Sequence, residues 1–576
     1  MPGRARSASP APIAGRSAMA VPGARGCDMD SPRTPATALH PTRRAAVLAA
    51  TLTLGVAAAG GLSACGSGNP VDGFGGSDPE FGYSLARPIV TTNAASQLGV
   101  MTDAAKVSAR LYPGAFITGP NGQLLPNPDL LTATPRPEDP QTVDYQVNDK
   151  ATYSDGTPVT CTDFLLAVTA GQNATQFGSD MPMARQVQSV ACQDQDKHFS
   201  VTFKKGFGAR FRELFSAGTV LPAHTVAQRA EVPDIVGALQ SEAPAQLEPI
   251  AEQWRNTFDL GQTDPSEVPT FGPYRVSSRA QDGTLTLEPN PNWKADPPQE
   301  RKVFLHPVGS ELKGLAHEDH LVVADAAATT DFAAQELNAP NFRTRKTAGS
   351  RVDLLRLEDA GALASPEARR ALGACIDRGA IAREVKAATG VEVQPVGLRI
   401  LAPTDPLAPR LKDVAEANTA VDPNRTKQQL DGTTVRIGYL KEVPRYAAMV
   451  QNITRSCAAG GVTIRPVEVD AAHPGTLGTD YEALLTTTSS FGRNPTTDVP
   501  ATAPLDKVRD AERTLADAAE TLPLVNEPRA VAVEQHIAGV VDNPGETGLS
   551  WNMDRWQRQS EPVPEPPSPE RNPGAI

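Results

Sequence analysis

Apolar and polar positions alternate along much of this chain in two distinct periods. Period-two runs at Val143-Asp144-Tyr145-Gln146-Val147, Val201-Thr202-Phe203, Leu285-Thr286-Leu287, Val435 to Tyr439 and Val462 to Val469 predict strands with one buried face. Helical spacing is interspersed with them. Ser365-Pro366-Glu367 offers an N-cap, a proline in the first turn and an early acid, and Leu372, Cys375, Ile376 and Val385 then fall roughly on one helix face. A second helix turns Tyr446, Met449, Val450, Ile453 and Cys457 inward and stops at Gly460-Gly461. Strand, helix, strand from Val435 to Val469 reads as a right-handed βαβ unit, so this half of the chain contains parallel sheet.

The stretch YSDGTPVTCTDF, Tyr153 to Phe164, raises a chemical question because it sets Asp155 and Asp163 among hydroxyls. A catalytic acid and base need neighbours that drive their pKa values apart, and nothing local does so. Each carboxylate has a structural task instead. Asp155-Gly156 makes a tight turn, Pro158 restricts the exit, and Thr160 caps the helix of Phe164 to Val168 with Asp163 in a capping-box position.

The N-terminal region reads as a targeting segment. Residues 1–42 show no periodicity and are read as disordered or as lying upstream of the true start, with Met29 a candidate start. Arg43-Arg44, the apolar run Ala45 to Ala59 and Leu62-Ser63-Ala64-Cys65 form the three parts of a bacterial secretion signal. The alternative, a membrane-spanning anchor, is disfavoured by the weak hydrophobicity of this Ala/Gly-rich run. Leu62-Ser63-Ala64-Cys65 resembles a lipobox, which implies diacylation of Cys65 and export to the outer face of the plasma membrane. Residues 65–80 are then a Gly/Ser/Asp tether, and the Pro/Glu-rich residues 558–576 a disordered tail.

The 576-residue chain carries a net charge of −12, and without the seven arginines and two aspartates of residues 1–64 the remainder stands at −17. Such a body repels nucleic acid and anionic lipid, so membrane attachment must be covalent. With Cys27 upstream and Cys65 assigned to lipid, Cys161, Cys192, Cys375 and Cys457 remain. Outside the membrane four thiols can pair in three ways. Cys161–Cys192 with Cys375–Cys457 keeps each bridge inside one half of the chain, and four buried free thiols are the alternative. Enzyme signatures are missing: there is no G-x-S-x-G, no GK[ST] loop and no H-E-x-x-H, and no cofactor is implied. His317-Glu318-Asp319-His320 is the best candidate for a metal, but no third ligand cluster follows it, and it reads as a solvated acidic loop; His224 reads as a turn or packing residue.

The order of several segments resembles that of family-5 extracellular solute-binding proteins, the peptide- and nickel-type receptors of ABC importers. The Ser-Asp-Gly-Thr-Pro-Val-Thr turn with Asp163-Phe164 is similar to the family signature. So are TFGPYRVSSRAQDGTLTLEPNPNW from Thr270, SPEARRALGACIDRGAIAREV from Ser365, AETLPLVNEPRAVAV from Ala519 and LSWNMDRW from Leu549. Together they span about residues 81–557 in the family's order.

The resemblance implies an α/β, two-lobe periplasmic-binding-protein-like fold (type II, cluster C) with an extra subdomain in lobe I. Lobe I is expected at 81–110 and 216–315, the inserted subdomain at 111–215, lobe II at 316–525 and the return to lobe I at 526–557. It implies no enzyme activity, a peptide or similar small solute as ligand, an ABC permease and its ATPase as partners, and a monomer. The family's Trp-x-x-Asp-Tyr amino anchor is absent from DYEALLTTTSSFGRNPTTD, and the chain is shortened between Arg493 and Leu505. Candidate ligand contacts are Asn93 and Tyr112 in lobe I and Thr487, Ser489, Phe491 and Arg493 in lobe II. A rival comes from the same fold: some mycobacterial lipoproteins with text similar to Arg212–His224 are implicated in regulating lipoglycan synthesis instead of import.

Overall fold

Two strands, Phe342–Leu357 and Thr521–Glu534, are much longer than the rest, and they organise the molecule. The computed structural model describes residues 80–241, 243–489 and 494–564. At one end of the long pair, residues 342–348 lie antiparallel to residues 528–534, and Val323–Ala326 extends the sheet. At the other end, residues 352–356 pair with residues 521–526, and Ala483–Thr488 extends it. The register breaks between Ala348 and Val352, where the strand passes from one end to the other.

The resulting ten-stranded sheet runs, in spatial order, Thr463–Val469, Thr434–Leu440, Ala483–Thr488, Phe342–Leu357, Thr521–Glu534, Val323–Ala326, Gly82–Ser84, Val303–His306, Leu285–Pro289 and Tyr274–Arg279. Each end has its own hydrophobic core. The first gathers side chains mainly from residues 81–323 and takes in Leu549, Met553 and Trp556, the last packed edge-on against Tyr83 at 5.2 Å. The second is drawn from residues 355–525 with Met101 added. Two cores joined by a pair of continuous strands make two lobes on a shared hinge.

Thr434–Leu440, the helix Pro444–Ala458 and Thr463–Val469 form the expected parallel unit, in register from Thr434 opposite Thr463 to Leu440 opposite Val469. The helix at Pro366 departs from expectation. It ends at Cys375, and a second helix, Arg378–Thr389, carries Val385. Ile376 is extended, and the Asp377 carboxylate accepts from Ala380 N at 2.8 Å, capping a new helix where apolar spacing alone read one. Disulfides join Cys161 to Cys192 and Cys375 to Cys457, with Cα separations of 5.7 and 4.7 Å. A separate four-stranded antiparallel sheet is ordered Leu131–Arg136, Asp139–Val147, His198–Phe203, Val187–Ala191.

Asp155 and Asp163 serve the turn and the helix. Asp163, buried, accepts from Thr160 N at 2.9 Å and from Ala223 N at 2.8 Å, so it caps its own helix and holds the start of Ala223–Arg229. Burial pushes its pKa up to about 6 against those bonds. Asp155 meets His224 Nε2 at 3.0 Å. No helix among the described residues is long and apolar enough to cross a membrane. Cys65 and the rest of residues 1–79 lie outside the described residues.

Candidate functional site

Strand register decides which side chains reach the space between the lobes. Val352 lies opposite Thr488 and Leu354 opposite Thr486, and these four line a cavity of about 510 Å³ together with Arg356 on the same strand face. Thr175 and Asp180 form its wall on the first lobe, and Val100 and Met101, which pack against the second core, also line it. A second cavity, of about 150 Å³, lies mostly on the first lobe and is more apolar, with Phe116, Ile117, Met181, Met183, Leu214 and Trp551 in its walls. The two share Asp180, Pro182 and Ser489. Together they make one cleft with an apolar chamber and a polar chamber.

The lobes are closed on this cleft by polar contacts. Arg356 donates to both oxygens of Asp180, at 2.5 and 3.2 Å. Burial works to lower the Arg356 pKa, but the Asp180 charge and hydrogen bond overcome it and raise it. The segment 494–498 of the second lobe docks onto the first. Asp498 accepts from the N–H groups of Gly208, Ala209 and Arg210 at 3.1, 3.0 and 3.4 Å. Arg210 in turn donates to Asn494 O at 2.5 Å and Thr497 O at 2.9 Å, and Gln186 donates to Pro495 O at 2.9 Å and Thr497 O at 3.1 Å.

On the opposite face of the same strands lies a buried charge cluster at the hinge. Asp353 faces Thr487 in register and receives Arg445 Nε and Nη2 at 2.8 and 2.7 Å and the Thr487 hydroxyl. Glu527 sits among Arg87, Arg351 and Arg445 at 3.5 to 3.6 Å. Burial would raise its pKa; these guanidiniums, with Arg529, pull it down to about 2. Asp325 accepts from Lys106 at 2.7 Å and Arg529 at 3.0 Å.

These contacts sort the candidate ligand residues. Ser489 is on the cleft, shared by both chambers. Thr487 is not: its hydroxyl belongs to Asp353, Tyr446 and Arg445. The cleft-facing threonines are its neighbours Thr486 and Thr488, because a shift of one residue exchanges the faces of a strand. Asn93 is buried beside the cleft, its amide spent on Ala95 N at 3.0 Å and Trp254 O at 3.3 Å. Tyr112 is core, donating to Pro269 O at 3.0 Å between Phe258 and Phe271. Phe491 and Arg493 lie outside the described residues. Asp180, Arg356, Arg369, Arg399 and Trp551 were not singled out by the sequence; only the extended register of residues 352–356 signals that Arg356 points into a gap.

No group of three or more His, Cys, Asp or Glu side chains suited to a metal ion occurs among the described residues. His317 is tied to Glu336 at 2.6 Å, while His320 lies near Glu80 and Glu318.

The description "Bacterial extracellular solute-binding proteins, family 5 Middle" matches residues 126–503. The chain belongs to this family. An uncharacterized lipoprotein of Mycobacterium tuberculosis is 29% identical over 523 residues, 82% of this chain and 92% of that protein. The oligopeptide-binding protein OppA of the same species is 27% identical over 288 residues, 49% of this chain and 44% of OppA. Among solved family-5 structures, the oligopeptide-binding protein AppA from Bacillus subtilis, in complex with a nonapeptide, superposes with a TM-score of 0.61 at 13% identity, covering 84% of this chain and all of AppA. The periplasmic EDTA-binding protein EppA gives 0.60 at 19% identity, covering 85% and 98%. The fold is the two-lobe fold of these family-5 binding proteins.

Proposed function

We propose that this protein is the substrate-binding lipoprotein of an ABC importer, held by lipid on Cys65 at the outer face of the plasma membrane. It grips a peptide or similar small solute between its lobes as a monomer and presents it to the permease and its ATPase. The observation that carries this reading is the two-chambered cleft between two separate cores, with one pair of strands crossing from lobe to lobe. Closure of such a clamp can be favoured by solute only through contacts that the open form lacks. Thr486, Thr488 and Ser489 on one wall and Asp180 on the other are placed to make them. The relatives' names, a set of lipoproteins and an oligopeptide-binding protein, agree with both the anchor and the cargo.

A second reading, a cell-envelope regulator without cargo, is favoured by one observation. The cleft is already latched by its own side chains, Arg356 to Asp180 and Asp498 to Gly208–Arg210. Native mass spectrometry of the purified protein separates the two, backed by thermal shifts across a peptide library. A released solute, and a melting point that climbs with its concentration by mass action, support the receptor. No retained solute and no shift with any peptide would transfer the assignment to the regulator.

A further inference from the structure

Three guanidiniums are buried at or behind the second-lobe wall of the polar chamber, and among the described residues none of them forms an ion pair with a carboxylate. Arg369, Arg378 and Arg399 are 6%, 2% and 7% exposed. Every hydrogen bond they donate goes to a backbone carbonyl. Arg369 binds Leu363, Ala364 and Ala518, Arg378 binds Gly373, Ile376 and Pro523, and Arg399 binds Thr521. The nearby acid Glu512 is turned to the N–H groups of Arg399, Ile400 and Leu401. Nη1 of Arg399 has no hydrogen-bond partner among the described residues.

Burying cations without a counter-charge is costly, and their protonation registers it. Burial, helped by the Arg399 charge, pulls Arg378 down to about 9, and burial pulls Arg399 down to about 10 while Glu512 opposes it. Arg369 and Arg399 both line the chamber. Among the described residues, none of its carboxylates forms an ion pair with these three arginines. Asp180 holds Arg356, Asp359 and Glu520 are exposed, and burial and then Glu482 push the Glu358 pKa up. Asn494, whose amide donates to Arg399 O at 2.9 Å, brings the docked segment down on this end of the chamber.

We propose that the polar chamber contains an anion subsite in which Arg399, backed by Arg369 and Arg378, receives a carboxylate or phosphate group of the solute. The inference rests on the solute-binding reading and narrows its ligand class. A planar guanidinium fork suits either oxyanion, and a charge that arrives with the ligand supplies the partner that the fold withholds. Closure of the lobes then removes the new pair from water, which ties capture of the anion to the closed state.

The test is thermal melting of the purified protein in sodium phosphate and sodium acetate against sodium chloride of equal ionic strength, with Arg399→Gln and Arg399→Lys in parallel. The expected result is a rise of about 1–4 °C in the wild type. Arg399→Gln should lose the part of the rise that exceeds the general salting effect, and Arg399→Lys, which keeps the charge without the fork, should bind at least tenfold more weakly than wild type. A response to phosphate alone points to a phosphorylated solute, and to acetate alone to a carboxylate. Equal responses in all three proteins, or none in the wild type, overturn the subsite. If neutral peptides raise the melting point while both anions do nothing, the subsite fails and the receptor reading stands. If neither anions nor peptides act, both fail.

Discussion

Removing Asp353 should damage the hinge more than its single carboxylate suggests. Asp353 is fully buried, and it takes two hydrogen bonds from Arg445 and one from Thr487. The Arg445 side chain is only 11% exposed, and its one other carboxylate partner among the described residues, Glu527, is 3.6 Å away and shared with Arg87 and Arg351. Burial works to lower the Arg445 pKa, and the charge of and hydrogen bonds to Asp353 outweigh it; with Asp353 gone, burial opposes the charge, but the ordinary guanidinium value lies so far above neutral that Arg445 stays charged. Breaking a buried pair from one side costs about 3–5 kcal/mol, whereas replacing both partners by apolar groups of similar size is often neutral or better. Asp353→Ala is therefore expected to lose about 3–5 kcal/mol, and Asp353→Leu with Arg445→Met to recover most of it. Thr487→Val, which removes bonds to Tyr446 and Arg445 as well, should cost about 1–3 kcal/mol and leave solute affinity unchanged. Equilibrium denaturation followed through the buried Trp254 and Trp556 reads all three. A cost below 1 kcal/mol for Asp353→Ala, or a Thr487→Val variant that keeps its stability and loses solute, would refute the assignment of this cluster to the hinge.

Three further outcomes follow from the same contacts. Asp498→Ala strips three backbone N–H groups of a charged acceptor and should cost the closed state about 1.5–3 kcal/mol, a ten- to hundredfold shift toward open lobes, visible as a larger radius of gyration in small-angle scattering. An unchanged radius contradicts the latch. Cys192→Ser opens a loop closed over a separation of 31 residues and should cost about 3.7 kcal/mol by chain entropy, against about 4.5 kcal/mol for the 82-residue separation of Cys375–Cys457; equal melting points with and without reductant would contradict both bridges. Asp163 has a folded pKa of about 6, above its ordinary 3.8, so its contribution is greatest below pH 4 and is lost as the pH rises to 6, by up to about 3 kcal/mol. Asp163→Asn should remove that slope from the stability profile between pH 4 and 6, and an identical slope in the variant would refute it.

The fold was legible where one local rule settled the answer. The βαβ unit around Pro444–Ala458 needs only alternation, a proline start and a Gly-Gly stop, all present in the text of the chain. The turn at Asp155 and the cap at Asp163 were equally local. The break at Ile376–Asp377 was not, because apolar residues continue the helical spacing through it and only the Asp377 cap shows that a new helix starts. The cleft was the least legible part. Thr487 and Thr488 are indistinguishable as letters, and their roles part only through pairing with Asp353 and Val352 on a strand more than a hundred residues earlier. Asp180 and Arg356 meet across 176 residues, and the carbonyls that hold Arg369, Arg378 and Arg399 come from residues 363–376 and 518–523, which no motif ties to an arginine.

The hinged clamp is tested most directly by the distance between its lobes. Spin labels at Glu252→Cys on the first lobe and Arg465→Cys on the second, both exposed positions, report it by pulsed resonance with and without a solute found by native mass spectrometry. Two distance populations are expected, with saturating solute driving the longer into the shorter. One fixed distance, unmoved by a solute that demonstrably binds, would contradict the clamp.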